Sequence, residues 1–259
     1  MKFLLELPLW LGLFIVVCII TISGLIVVTQ VKKRIQHKLT KQHVGVGRIL
    51  FRVTAGLIAL LISLSFANER MEQYKIIDSM EMEASYLVNV AINLNMLKSA
   101  ESVTLKENII AYVNSTIEEQ WENVQINPFY SNTSKFLVAA KKIAYQLPVR
   151  NRDEDKIKND IIEDLNQAII FMQVRIYSQN TLTPYLIYIL FLGLIIMWVF
   201  FTVYNLDIIS LTFLSLYNIF IAVLIYVVFM MSNPLIGPLK IDTHSFSIIK
   251  TKGIDFEFK

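Results

Sequence analysis

Apolar residues run from Leu7 to Val31 without a single charge, a stretch of 25 residues. As a helix it would reach roughly 37 Å, against a hydrocarbon core of about 30 Å. The pattern predicts a first membrane span. A cleavable leader is the competing reading, but its apolar region should be about 7 to 15 residues long and end in a small-x-small site. The second apolar block is shorter, because Arg52 and Glu69 enclose only 16 uncharged residues. Including Ile49, Leu50 and Phe51 and letting Arg52 snorkel makes Ile49 to Ala67 long enough to span. A third span is expected from Tyr185 to Tyr204, with Thr183 as N-cap and Pro184 at the first helical position, where a missing N–H costs nothing. The fourth runs from Ile208 to about Met231 and stops at Asn233-Pro234. Only Asn205 to Asp207 separates the last two, so they must form a tight antiparallel hairpin.

Between spans two and three, apolar positions recur at helical spacing in a polar background. Ile77, Met80, Ala84, Leu87, Ala91 and Leu94 alternate steps of three and four, a coiled-coil-like seam that continues the second span directly. A second helix opens with Thr104 and Glu107 in capping-box spacing and buries Leu105, Ile109, Val113 and Ile117. Asn127-Pro128 marks a turn, and a third helix runs from about Ser134 to before Pro148. The fourth begins at Asp153-Glu154-Asp155, which suits the positive end of a helix dipole, and buries Ile157, Ile161, Leu165, Ala168 and Met172. Such segments can close into one bundle. The expected fold class is an all-α membrane protein with four transmembrane helices and an inserted helical-bundle domain between the second and third. Its parts are 1–67 (two spans and their linker), 68–182 (extramembrane domain), 183–232 (hairpin) and 233–259 (tail).

Composition agrees with a helical membrane protein: 55% of the 259 residues are apolar, with only eight Gly and six Pro. Charge adds an orientation. The linker between spans one and two carries Lys32, Lys33, Arg34, Lys38, Lys41 and Arg48, with Arg52 at its edge and no acidic residue. The positive-inside rule makes this short linker cytoplasmic. The 68–182 domain then faces the periplasm or exterior of a cell inner (plasma) membrane. The linker is expected to meet anionic headgroups of the lipid bilayer rather than nucleic acid.

Several short pieces, taken in order, are similar to the bestrophin-like domain family of bacterial integral membrane proteins. They are Phe66-Ala67 with Arg70, Glu83-Ala84, Tyr112-Val113, Arg175-Ile176 before Thr183-Pro184, and Asn233-Pro234-Leu235-Ile236-Gly237-Pro238 with Phe246 beyond. Leu235 departs from the pattern, which has an aromatic residue after the proline. The resemblance implies an oligomeric anion channel whose second transmembrane helix lines the pore. It also implies a cytosolic domain between spans two and three, against the charge rule. Orientation is here taken from the charge bias.

Catalytic chemistry finds little support. His37, His43 and His244 have no paired metal spacing. Gly45-Val46-Gly47 lacks a third glycine and follows no strand, so it is no dinucleotide loop. Asp153, Glu154, Asp155, Asp160, Glu163 and Asp164 lack the turn glycine of a calcium loop and read as a solvated helix face. Asn114 and Asn132 head chance sequons. Cys18, the lone cysteine, excludes an internal disulfide. No enzyme activity, cofactor or metal is expected.

The second span is more informative. Ala55, Ala59, Ser63 and Ala67 recur every four residues, giving a narrow face of small side chains. The plain reading is close helix packing; the sharper one is a pore wall made by Arg52, Ala55, Ala59, Ser63, Phe66 and Arg70. Arg52 and Arg70 are five turns apart and share an azimuth. In the fourth span, Asn218 is costly unless it bonds to another helix. The functional expectation is a homo-oligomeric ion channel leaning towards anions, with small permeant ions as partners. A non-conducting membrane-anchored sensor or scaffold is the alternative.

Overall fold

In the computed structural model, residues 2–97, 99–118, 132–177 and 184–234 are described, together with Pro238, Ile241, Asp242 and Phe246. Every regular element among them is helical: α1 (Lys2–Glu6), α2 (Leu9–Ile35), a 3-10 turn (Gln36–Lys38), α3 (Lys41–Met96), α4 (Ala100–Glu118), α5 (Asn132–Gln146), α6 (Arg152–Tyr177), α7 (Pro184–Phe201) and α8 (Ile208–Met231). The chain divides into two compact units, one of residues 1–71 and 180–240, the other of residues 72–179 and 241–259. α3 is unbroken over 56 residues and contributes to both. Direct continuation of the second apolar block into the amphipathic seam is thus a property of the backbone.

The first unit holds the apolar helices. Three segments are long and apolar enough to cross a membrane: Leu9–Lys38, the apolar part of Lys41–Met96, and Ile208–Met231. α7 is apolar and shorter. Its core takes Ile20 and Val28 from α2, Ile58 and Ile62 from α3, Leu194 and Met197 from α7, and Leu214, Ile221 and Ala222 from α8. Two glycines of α2 let α8 approach closely. A Cβ at Gly12 would overlap the Tyr226 hydroxyl, and one at Gly24 would overlap Asn218 and come within 2.9 Å of the Trp198 ring.

At the other end of α2, Lys32 Nζ donates to the carbonyls of Thr202 and Tyr204, at 2.9 Å each. It thereby satisfies carbonyls just beyond the last turn of α7, where a cation suits the helix dipole. Phe51 meets the rings of Phe201 and Tyr204 edge-on at 5.7 Å, and the Arg48 guanidinium lies 5.5 Å from the Tyr204 ring centre. α8 begins where expected, with the Asp207 carboxylate accepting from Ser210 N–H at 2.9 Å.

In the second unit, the lower part of α3 shares one core with α4, α5 and α6: Met80, Leu87 and Leu94, then Leu105, Ile109 and Val113, then Leu137 and Ala140, then Ile161, Leu165 and Ala168. Ile241 and Phe246 join it from the tail. The expected seams are the buried faces, with one shift: Ile76 is fully buried and Ile77 only partly. The cap of α4 differs from expectation. Ser99 and Ser102 exchange bonds, each hydroxyl accepting from the other's N–H at 3.1 and 3.3 Å, so the helix starts at Ala100. Thr104 is interior and donates back to the Ala100 carbonyl. Two small hydroxyl residues three apart can cap each other as well as a Thr–Glu pair can, and they come first along the chain. α6 is capped by Asn151, whose side-chain oxygen accepts from Glu154 N–H at 2.8 Å. Asn127-Pro128 and Thr183 lie outside the described residues.

Candidate functional site

Between Arg52 and Arg70, α3 buries only Ile58, Ile62, Ser65 and Glu69. These are spaced four, three and four apart and form a single line along the helix. At about 100° per residue, Arg52, Ala59, Ser63 and Arg70 lie roughly 80 to 140° around the helix from that line. Arg52, Ala59, Ser63, Phe66 and Arg70 are exposed and Ala55 is partly buried. In this stretch the large side chains that pack α3 within its own chain are the two isoleucines with Leu61 half-buried beside them, and the small stripe lies beside that contact. Ser63 donates to the Ala59 carbonyl at 2.9 Å, so its hydroxyl is satisfied inside the helix. Leu57, Leu60 and Leu64 share the exposed surface.

Asn218 of α8 is fully buried and accepts from Trp198 Nε1 of α7 at 2.9 Å. Its Nδ2 finds no partner among the described residues, and neither do the hydroxyls of Thr21 and Tyr226. The bond ties the two helices of the hairpin together where lipid offers no alternative donor.

The second unit contains a charged cluster within its apolar core. Glu83 of α3 and Arg175 of α6 are both fully buried, with Nε 3.0 Å from one carboxylate oxygen and a terminal nitrogen 3.3 Å from the other. Tyr112 of α4, equally buried, donates its hydroxyl to Glu83 and accepts from Arg175 at 3.3 Å. Phe246 from the tail lies over the guanidinium, 5.5 Å from carbon to ring centre. Burial, then the Glu83 charge, pushes the Tyr112 hydroxyl well above its ordinary pKa of 10.0, so it stays protonated and donates. Burial works against the Arg175 charge, but Glu83 and Tyr112 outweigh it and hold the guanidinium protonated. A carboxylate accepting from both partners needs nothing further. The cluster is a cross-link among α3, α4 and α6.

Sequence patterning gave these residues no role, although a signal was present. Glu83 falls three after Met80 and four before Leu87; Tyr112 falls three after Ile109; Arg175 falls three after Met172. Each interrupts an apolar seam at a position that must be buried.

On α6, Asp160, Glu163 and Asp164 border an open hollow of about 260 Å³ together with Asn89, Ile92 and Asn93 of α3. Burial, then the charges of Asp160 and Glu163, raises the Asp164 pKa. No group of acidic, His or Cys side chains suited to a metal occurs among the described residues. Cys18 is partly buried and free.

Apolar membrane-length helices, one of which runs on without a break into an amphipathic helical unit, define an integral membrane protein. The family model of the bestrophin-like domain matches residues 15–246, and the chain belongs to that family. The family comprises ion-channel-like membrane proteins. No curated protein matches the chain, and no solved structure does. Four of the fragments that carried the resemblance meet in space, where Glu83, Tyr112, Arg175 and Phe246 form the buried cluster.

Proposed function

We propose that this protein is a homo-oligomeric channel passing small anions, with the membrane-spanning part of α3 as the pore wall. The observation that carries the reading is the thin contact of α3 with its own chain. It buries four residues between Arg52 and Arg70, half-buries Thr54, Ala55 and Leu61, and leaves the rest exposed for neighbouring subunits, a pore and lipid. A helix buried along one line in a membrane unit gains further packing most simply from other copies, and closed rings are the usual outcome. In that arrangement Ala55, Ala59, Ser63 and Phe66 line the path, with Arg52 and Arg70 at its two ends. Rings of positive charge favour anions. α7 is the third of four spans, and its length of 18 residues, roughly 27 Å, suffices for a slightly thin bilayer. The basic linker faces the cytoplasm of a bacterial cell, and the 68–182 domain faces outward.

The test is reversal potential in a salt gradient for liposomes carrying wild type, Arg52→Glu, Arg70→Glu and the double variant. The expected result is anion selectivity that moves towards cations with each change and furthest with both. Flux no greater than that of empty vesicles overturns the channel reading in favour of a non-conducting sensor or scaffold. Conduction with unaltered reversal potentials in all three variants removes both arginines from the path.

A further inference from the structure

We propose that the groove between the start of α3 and the end of α7 binds one anionic phospholipid, its phosphate held by Lys38 and Lys41 and one acyl chain lying in the groove. The groove has a volume of about 360 Å³, within the size range of small-ligand sites. Along α3 its lining passes from Gln42 and His43 to Val46 and Leu50, one and two turns further on. Val199 and Val203 line the α7 side. Its depth is fixed by Gly47, where a Cβ would overlap the Val203 side chain, so the α3 backbone lies directly against α7. Val46 and Leu50 remain 51% and 39% exposed, apolar surface that an acyl chain would cover.

Charge at the polar end decides the headgroup. Of the basic linker residues, Lys32 is used on the carbonyls beyond α7 and Arg48 on the Tyr204 ring. Lys38 and Lys41 are exposed and form no ion pair among the described residues. Lys41 directly precedes Gln42, and the Lys38 carbonyl lies 3.3 Å from His43 Nδ1, which places both lysines beside the polar lining. No acidic residue occurs from Leu7 to Asn68 to compete for them. Basic, then polar, then apolar is the order in which a lipid presents phosphate, glycerol and acyl chain.

The experiment uses the full chain in detergent, with native mass spectrometry counting lipids retained from titrations of phosphatidylglycerol or phosphatidylcholine bearing the same acyl chains. Each lysine near an anionic lipid is worth roughly a factor of five, so two predict about a twenty-five-fold preference for phosphatidylglycerol. Lys38→Gln with Lys41→Gln, changes confined to exposed side chains, should abolish the preference while phosphatidylcholine retention stays as it was. Val46→Trp should fill the groove and lower retention of both lipids. Equal retention of the two lipids by wild type, an unchanged preference in the double lysine variant, or displacement of phosphatidylglycerol by millimolar inorganic phosphate overturns the proposal. Should Val46→Trp fail to fold, the lysine variant decides it alone.

Discussion

A carboxylate and a guanidinium with no water around them are tolerable only as a satisfied pair, and Glu83 and Arg175 meet that condition with Tyr112 as the third member. Removing one partner leaves a buried charge exposed to apolar surroundings, which typically costs about 3–5 kcal/mol. Glu83→Gln and Arg175→Met are therefore each expected to destabilise the second unit by that amount. Tyr112→Phe, which removes one hydrogen bond and keeps the ring, should cost only roughly 1–3 kcal/mol. Denaturant unfolding followed by far-UV circular dichroism checks the ranking. Similar small losses at all three positions would mean that the cluster is not the cross-link described. Glu83→Leu combined with Arg175→Met removes both charges and should recover much of the loss, as replacement of a whole buried pair by apolar residues often does.

At the scale of elements, α3 behaves as two helices in one. In its second half it is amphipathic, and Met80, Ala84, Leu87, Ala91 and Leu94 are all buried. Within the apolar stretch Ile58 and Ile62 are its fully packed large residues, Phe51 and Leu61 are half-buried beside them, and alanine, serine and leucine are presented elsewhere. If neighbouring subunits close on the small stripe, Ala59→Leu overpacks that contact by roughly 1–3 kcal/mol. The expected outcome is loss of the oligomer on size-exclusion chromatography with light scattering, or loss of ion flux. Leu60→Ile, about 80° around the helix from the centre of the stripe, should leave both near wild type. Equal tolerance at the two positions would assign the stripe to lipid.

For the molecule as a whole, the linker with its seven basic and no acidic residues from Lys32 to Arg52 predicts the sidedness. Gln36→Cys and Lys142→Cys, both at exposed positions, separate the alternatives in a Cys18→Ser background treated with an impermeant maleimide on intact cells. Labelling is expected at position 142 and not at 36; the reverse would place the helical domain in the cytosol, as the family resemblance implies. What the sequence alone determined was where the chain enters apolar surroundings and where it returns to water. Those are additive properties of local composition, which is why the ends of α8, the apolar body of α2 and the seams of α3, α4 and α6 could be read directly. Tertiary structure alone decided which side of an apolar helix meets protein. Lipid and protein interior are equally apolar, so hydropathy could not distinguish Ile58 and Ile62 from Leu57 and Leu60. It also decided that Glu83 meets Arg175, 92 residues away, because a charge on a seam shows that a partner must exist, and only the packing of three helices shows which one.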